Sequence, residues 1–210
     1  MLDCVKLADL IALGNRAEPD GLAIIPEPNI EEIRSSGESS ISLRLGRWFL
    51  ALRQSSQPFF DSLNENEYKK TESKASKYYY VPFGQEFVLH PGRFVLGATL
   101  EWLKFPTSYG GYVGGKSSLA RRGLIIETAA GIHPGFNGCL TLELANVGEV
   151  PIKIRPGMKI CQIFIHNVWE GSKLSSSLLD GRRRPYLGFL KEDDVLIKLT
   201  ERAKDVPSAE

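Results

Sequence analysis

Cys139-Leu140-Thr141-Leu142-Glu143-Leu144-Ala145-Asn146 is the run whose reading decides the fold. Its alternation puts Leu140, Leu142 and Leu144 on one face and Thr141, Glu143 and Ala145 on the other, which is the period of a β-strand. On an open sheet Glu143 is an ordinary solvent-facing glutamate. In a closed or covered sheet the second face is buried as well, and desolvation then favours the protonated carboxyl, the condition for passing protons near neutral pH. The run alone leaves both readings open.

Working outward, Ala129 to Gly138 is dense in turn formers, and before it stands Gly114-Gly115-Lys116-Ser117-Ser118-Leu119-Ala120-Arg121-Arg122-Gly123. The two glycines are expected to turn the backbone, a serine to cap one turn of helix and Gly123 to close it. Ser117 and Arg121, four apart, share a face of that turn. Its backbone N–H groups, with Lys116 and two hydroxyls, make an anion site; a surface turn before a solvated basic helix fits equally well. Strand-like runs flank this region at Leu22–Ile25, Ile41–Leu50, Glu86–His90, Phe94–Leu103, Tyr112–Val113, Val150–Ile154 and Lys159–Ile165. Met1 to Gly14 reads as an amphipathic helix with Asp3 as cap and Gly14 as stop. Residues 54–77 read as an exposed polar excursion, and Tyr78-Tyr79-Tyr80 as core plus rim. Many short strands with regular turn signals indicate an all-β sandwich or barrel in one domain over residues 1–210.

The chain has 210 residues, with 26 Lys plus Arg against 25 Asp plus Glu, so composition gives no support for a nucleic-acid partner. Its three cysteines, Cys4, Cys139 and Cys161, lack the spacing of a disulfide framework or a structural zinc site. No apolar run reaches membrane-spanning length, and the N-terminus does not read as a signal peptide. A reducing cytoplasm is the expected setting.

Three phrases resemble the signature of dCTP deaminases, members of the dUTPase-like superfamily of trimeric β proteins. They are Gly115-Lys116-Ser117-Ser118-Leu119-Ala120-Arg121, then Pro134-Gly135-Phe136-Asn137-Gly138 with Leu142-Glu143-Leu144-Ala145-Asn146, then Arg155-Pro156-Gly157-Met158-Lys159-Ile160-Cys161-Gln162. The resemblance implies a dUTPase-like β-barrel or jelly-roll-type sandwich, a homotrimer with sites shared between subunits, and conversion of dCTP and water to dUTP and ammonia. By the same resemblance Glu143 is the proton shuttle, while Ser117 and Arg121 hold the water and stabilise developing charge. Base recognition falls on the loop Ala129 to His133, including Ala130, Ile132 and His133, and on the strand backbone at Thr141 and Leu142. Lys116, Ser118, Gln162 and Arg182 complete the expected substrate contacts, and dTTP stands as a candidate inhibitor.

The H-x-E and P-C-x-x-C elements of zinc deaminases do not occur: His90 and His133 precede prolines, and His166 precedes Asn167-Val168. The expectation is therefore metal-independent chemistry, with Mg2+ only as a companion of the triphosphate. Some residues depart from the family's pattern. Ser42 stands near where relatives carry aspartate, and His133 where they carry aspartate in a loop one residue longer. Leu178, Leu179 and Arg182 stand where relatives carry lysine, tyrosine and glutamine. In dUTPases that loop aspartate helps activate the hydrolytic water, so His133 leads to the expectation of a deaminase without efficient pyrophosphate release. A histidine there fits a base, a sugar contact or a structural role equally. Asp180 to Gly188, with three arginines, reads either as a solvated loop or as part of a flap over residues 171–210 that pairs with phosphates. A dUTP diphosphatase, a bifunctional enzyme and a non-catalytic nucleotide-binding regulator are the alternatives.

Overall fold

The computed structural model describes residues 1–52, 76–127, 130–168, 181–188 and 195, Glu127 by its backbone alone. Residues 1–52 and 77–186 form one compact unit, and residues 53–76 with 187–210 group into a second. The expected polar excursion and most of the expected flap lie outside the described residues.

In chain order the elements are α1 (Cys4–Asn15), β1 (Ala23–Ile25), α2 (Ile30–Ser35), β2 (Ile41–Leu52), β3 (Ser76–Tyr80), β4 (Phe87–Leu89), β5 (Phe94–Thr99) and β6 (Trp102–Lys104). They continue with β7 (Tyr109–Gly115), α3 (Ser117–Ala120), β8 (Leu124–Glu127), β9 (Gly131–Ile132), β10 (Asn137–Gly138), β11 (Thr141–Asn146), β12 (Ile152–Ile154) and β13 (Lys159–Asn167). The main sheet runs β8-β11-β5-β2-β13-β7-β9, with β3 also on β2; β1-β6-β10 and β4-β12 pair separately. The long strand β2 holds this together. It pairs with β13 from Ile41 to Arg44 and with β5 from Leu45 onward, and the register shifts in both ladders. Such bulges increase local twist, so one strand can serve two directions of a curled sheet.

The alternation read at β11 is the alternation observed. Leu140, Leu142 and Leu144 are in the core, while Thr141, Glu143 and Ala145 are half-buried on the other face. Each fully buried leucine is worth about 2 kcal/mol of transferred surface. Tyr79 packs against the core and Tyr78 and Tyr80 are exposed, as the tyrosine run suggested.

Other expectations are corrected. Gly114 and Gly115 do not turn the chain; they are the last residues of β7. A Cβ on Gly111 would meet the Phe164 carbonyl oxygen at 3.0 Å, and one on Gly114 the Phe164 ring at 3.2 Å, so these glycines let β7 lie close against β13. Asp3 caps α1, accepting the Lys6 N–H at 2.9 Å. Gly14 does not stop that helix, which continues through Asn15. A Cβ on Gly14 would lie 2.2 Å from the Leu22 carbonyl carbon, so the glycine is needed for close backbone approach. The six-residue α2 was missed because it is too short to show a period; its signals were Asn29 as cap and Glu31 and Glu32 in the first turn.

Candidate active site

Between β7 and β8 the chain makes the single turn α3. Lys116, in extended conformation, is the residue at its N-cap, and no side chain caps it, so neither serine does the capping expected of it. The Lys116 carbonyl accepts the N–H groups of Leu119 and Ala120 at 2.9 and 3.0 Å, and the Ser117 carbonyl accepts that of Arg121 at 3.0 Å. Ser117, Ser118 and Arg121 are exposed. Gly123 closes the turn as expected, at φ +88°. Its carbonyl accepts the Val147 N–H at 2.9 Å, which ties the turn to the end of β11.

The Lys116 side chain folds back onto the sheet. Its Nζ donates to Ser42 Oγ at 2.7 Å and to Gln162 Oε1 at 3.3 Å, and Ser40 Oγ also donates to Gln162 Oε1, at 3.2 Å. These partners meet because Gln162 on β13 lies opposite Ser42 on β2 and Gly114 on β7. All are neutral, so the ammonium keeps its full charge for an anion.

Glu143 sits mid-strand on β11, half-buried, in register with Leu96 on one side and Glu127 on the other. Leu142 is fully buried, so it can address a ligand only through its backbone; Thr141 is half-buried. In the β8–β11 ladder Leu124 lies opposite Asn146. Arg121 therefore lies past the Asn146 end, whereas Glu143 is three residues inward, about 10 Å along the strand.

The expected base-recognition loop runs beside β7. The Ala130 carbonyl accepts the Val113 N–H at 2.9 Å, Gly131 and Ile132 pair with Tyr112 and Gly111, and Ile132 is buried. His133 is exposed at the start of the turn that leads to β10. Arg182 is tied back by its carbonyl, which accepts the Cys139 N–H at 2.9 Å, and its guanidinium lies 3.7 Å from the Tyr186 ring centre. Arg183 lies over Trp102 and Arg184 over Trp48, at 5.0 and 3.9 Å. Such stacking uses the flat face of a guanidinium.

Two residues of the region carried no role in the sequence reading. Asn146 is fully buried; its Nδ2 donates to the carbonyls of Leu89 and Val150, both at 2.9 Å, and its Oδ1 accepts the Gly148 N–H at 2.9 Å. Glu101 is only 6% exposed and its Oε2 accepts the Arg44 N–H at 2.8 Å. Burial pushes its pKa above the usual carboxylate range. The one available signal was a lone acid inside the apolar run Phe94–Leu103. Burial also pushes the Cys139 thiol up to about 11 and the Cys161 thiol up to about 12, so neither is a thiolate nucleophile. Among the described residues no three His, Cys, Asp or Glu side chains are grouped to hold a metal, and no helix is long and apolar enough to cross a membrane.

A family model described as dCTP deaminase-like matches residues 12–168. A protein of Corynebacterium diphtheriae named dCTP deaminase, dUMP-forming, is 39% identical over 163 residues, covering 72% of this chain and 84% of its own. One of the same name from Corynebacterium efficiens is 40% identical over 169 residues, covering 74% and 84%. Among solved structures, the 2'-deoxycytidine 5'-triphosphate deaminase of Agrobacterium tumefaciens matches with a TM-score of 0.55 at 22% identity, over 78% of this chain and 45% of that one; it bears on the fold alone. The all-β architecture expected from the sequence is the one found, and it is the fold of that deaminase. Matched over most of its length by the family model and by relatives near 40% identity that are named as deaminase enzymes, the chain belongs to the dCTP deaminase-like family.

Proposed function

We propose that the chain deaminates the cytosine of dCTP by a metal-independent route in which Glu143 carries the proton. The observation that supports this best is a carboxylate half-buried in the middle of β11, in a chain whose relatives are named for this reaction. Glu143 takes a proton from water as the water oxygen bonds to the ring carbon bearing the amino group, and delivers that proton to the adjacent ring nitrogen. The second water proton then passes to the amine, the C–N bond breaks, ammonia leaves and the ring carbon becomes a carbonyl. Ser117 and Arg121 hold the water and the developing charge. Lys116, whose partners are neutral, meets the phosphates, with Mg2+ only as their companion.

The resemblance to trimeric dUTPase-like proteins supports a homotrimer with sites shared between copies. The substrate is a free cytoplasmic nucleotide rather than nucleic acid. The relatives' names support dUMP as the final product. His133 favours a second reading: with an exposed imidazole in place of the expected aspartate, phosphate cleavage loses its carboxylate and dUTP is released. Incubation with dCTP, followed by ammonia assay and nucleotide chromatography with and without a chelator, tests each part. Ammonia equal to total uracil nucleotide supports deamination, and dUMP or dUTP as the accumulating species decides the product. An absence of ammonia rejects the deaminase and favours a nucleotide-binding regulator. Ammonia formation abolished by chelation and not restored by Mg2+ rejects the metal-free route.

A further inference from the structure

Glu101 is a buried carboxylate that the reaction above leaves unused. It stands where β5 has ended at Thr99 and the chain turns towards β6. On the facing edge of β2, Leu45 lies opposite Thr99, and the Arg44 carbonyl accepts the Leu100 N–H at 2.8 Å. The Arg44 N–H on that same edge is met by Glu101 Oε2 at 2.8 Å, so a side chain supplies the acceptor that a longer strand would have supplied. On its other edge Arg44 lies opposite Lys159, and between that pair and Leu43–Cys161 the β2–β13 register slips. Beyond the slip, Ser42 lies opposite Gln162, the two residues that accept from Lys116 Nζ.

We propose that Glu101 is a positioning residue for nucleotide binding: by pinning Arg44 at the bulge, it fixes the register in which Ser42 and Gln162 aim Lys116 at phosphate. This rests on the reading of Lys116 as a phosphate contact. The test uses the full chain, with Glu101→Gln, which keeps an acceptor oxygen, and Glu101→Leu, which does not. Binding of inorganic tripolyphosphate is measured by calorimetry, and KM and kcat are measured with dCTP.

Glu101→Leu is expected to weaken tripolyphosphate binding and raise KM about tenfold with kcat within about twofold, while Glu101→Gln stays within about twofold of the native chain. A folded Glu101→Leu variant with native affinity overturns the proposal, as does a fall in kcat at unchanged KM. Should Glu101→Leu fail to fold, Glu101→Asp replaces it, one methylene short of Arg44; the same loss supports the proposal and native affinity overturns it. A native chain that binds tripolyphosphate but forms no ammonia would sink the deaminase reading and leave this test intact. One that binds no tripolyphosphate overturns the proposal.

Discussion

Replacing Asn146 with alanine removes the joint between β11, β4 and the turn that receives Gly123. Three hydrogen bonds of 2.9 Å are lost from a fully buried position, at a net cost of about 1 kcal/mol each. The Leu89 carbonyl and the Gly148 N–H also lose a partner, which raises the expected cost from about 3 towards about 5 kcal/mol. Even the lower figure is a large part of the roughly 5–15 kcal/mol that holds a domain together. Urea denaturation at matched protein concentration measures it, since self-association would make stability concentration-dependent. A fall in Tm of roughly 6–20 °C is the corresponding thermal result. Asn146→Asp is a control with a sharper expectation. It keeps the acceptor for Gly148 but turns a second oxygen towards two carbonyls, so it should be at least as damaging as alanine. A loss below about 1 kcal/mol for Asn146→Ala would refute the role given to this side chain.

Ser42→Asp places a carboxylate against Lys116 Nζ, now 2.7 Å from the serine oxygen, and should raise KM for dCTP roughly three- to tenfold at unchanged kcat; an unchanged KM contradicts this. Gly123→Ala forces a side chain into φ +88° with its Cβ 2.7 Å from the Gly148 nitrogen, and should cost about 1–3 kcal/mol in thermal or urea unfolding. Burial raises the pKa of Glu101, so the folded state binds its proton at higher pH than the unfolded chain does, and protonation favours folding. Its contribution to stability should therefore rise as pH falls from the raised folded pKa to the ordinary value of 4.5, and level off below that. The difference in Tm between the native chain and Glu101→Gln, followed from about pH 8 to about pH 4, isolates this residue; a flat difference contradicts it.

The strands were legible because Leu140, Leu142 and Leu144 alternate with Thr141, Glu143 and Ala145, and one face of a sheet must be apolar. The glycines were less so. Gly14, Gly114 and Gly123 look alike in a sequence, yet one permits a close backbone contact, one makes room for the Phe164 ring beside its strand and one holds a left-handed turn. Only the last announces itself, by following a short helical run. Glu101 was hidden because its task depends on where β5 stops and on a bulge in its neighbour, neither of which leaves a local pattern. The pairing of β8 with β11 was hidden for a related reason. Motifs give residue types and order, whereas the Leu124–Asn146 register that sets the spacing is a pairing between distant strands.

The most direct test is the rate of ammonia release from dCTP by Glu143→Gln beside the native chain, with dCTP binding measured on both. Loss of the proton carrier should lower the rate by about a hundredfold or more while binding changes only a few-fold. Turnover by the amide variant within about tenfold of native would contradict the proposal that this carboxyl moves the proton.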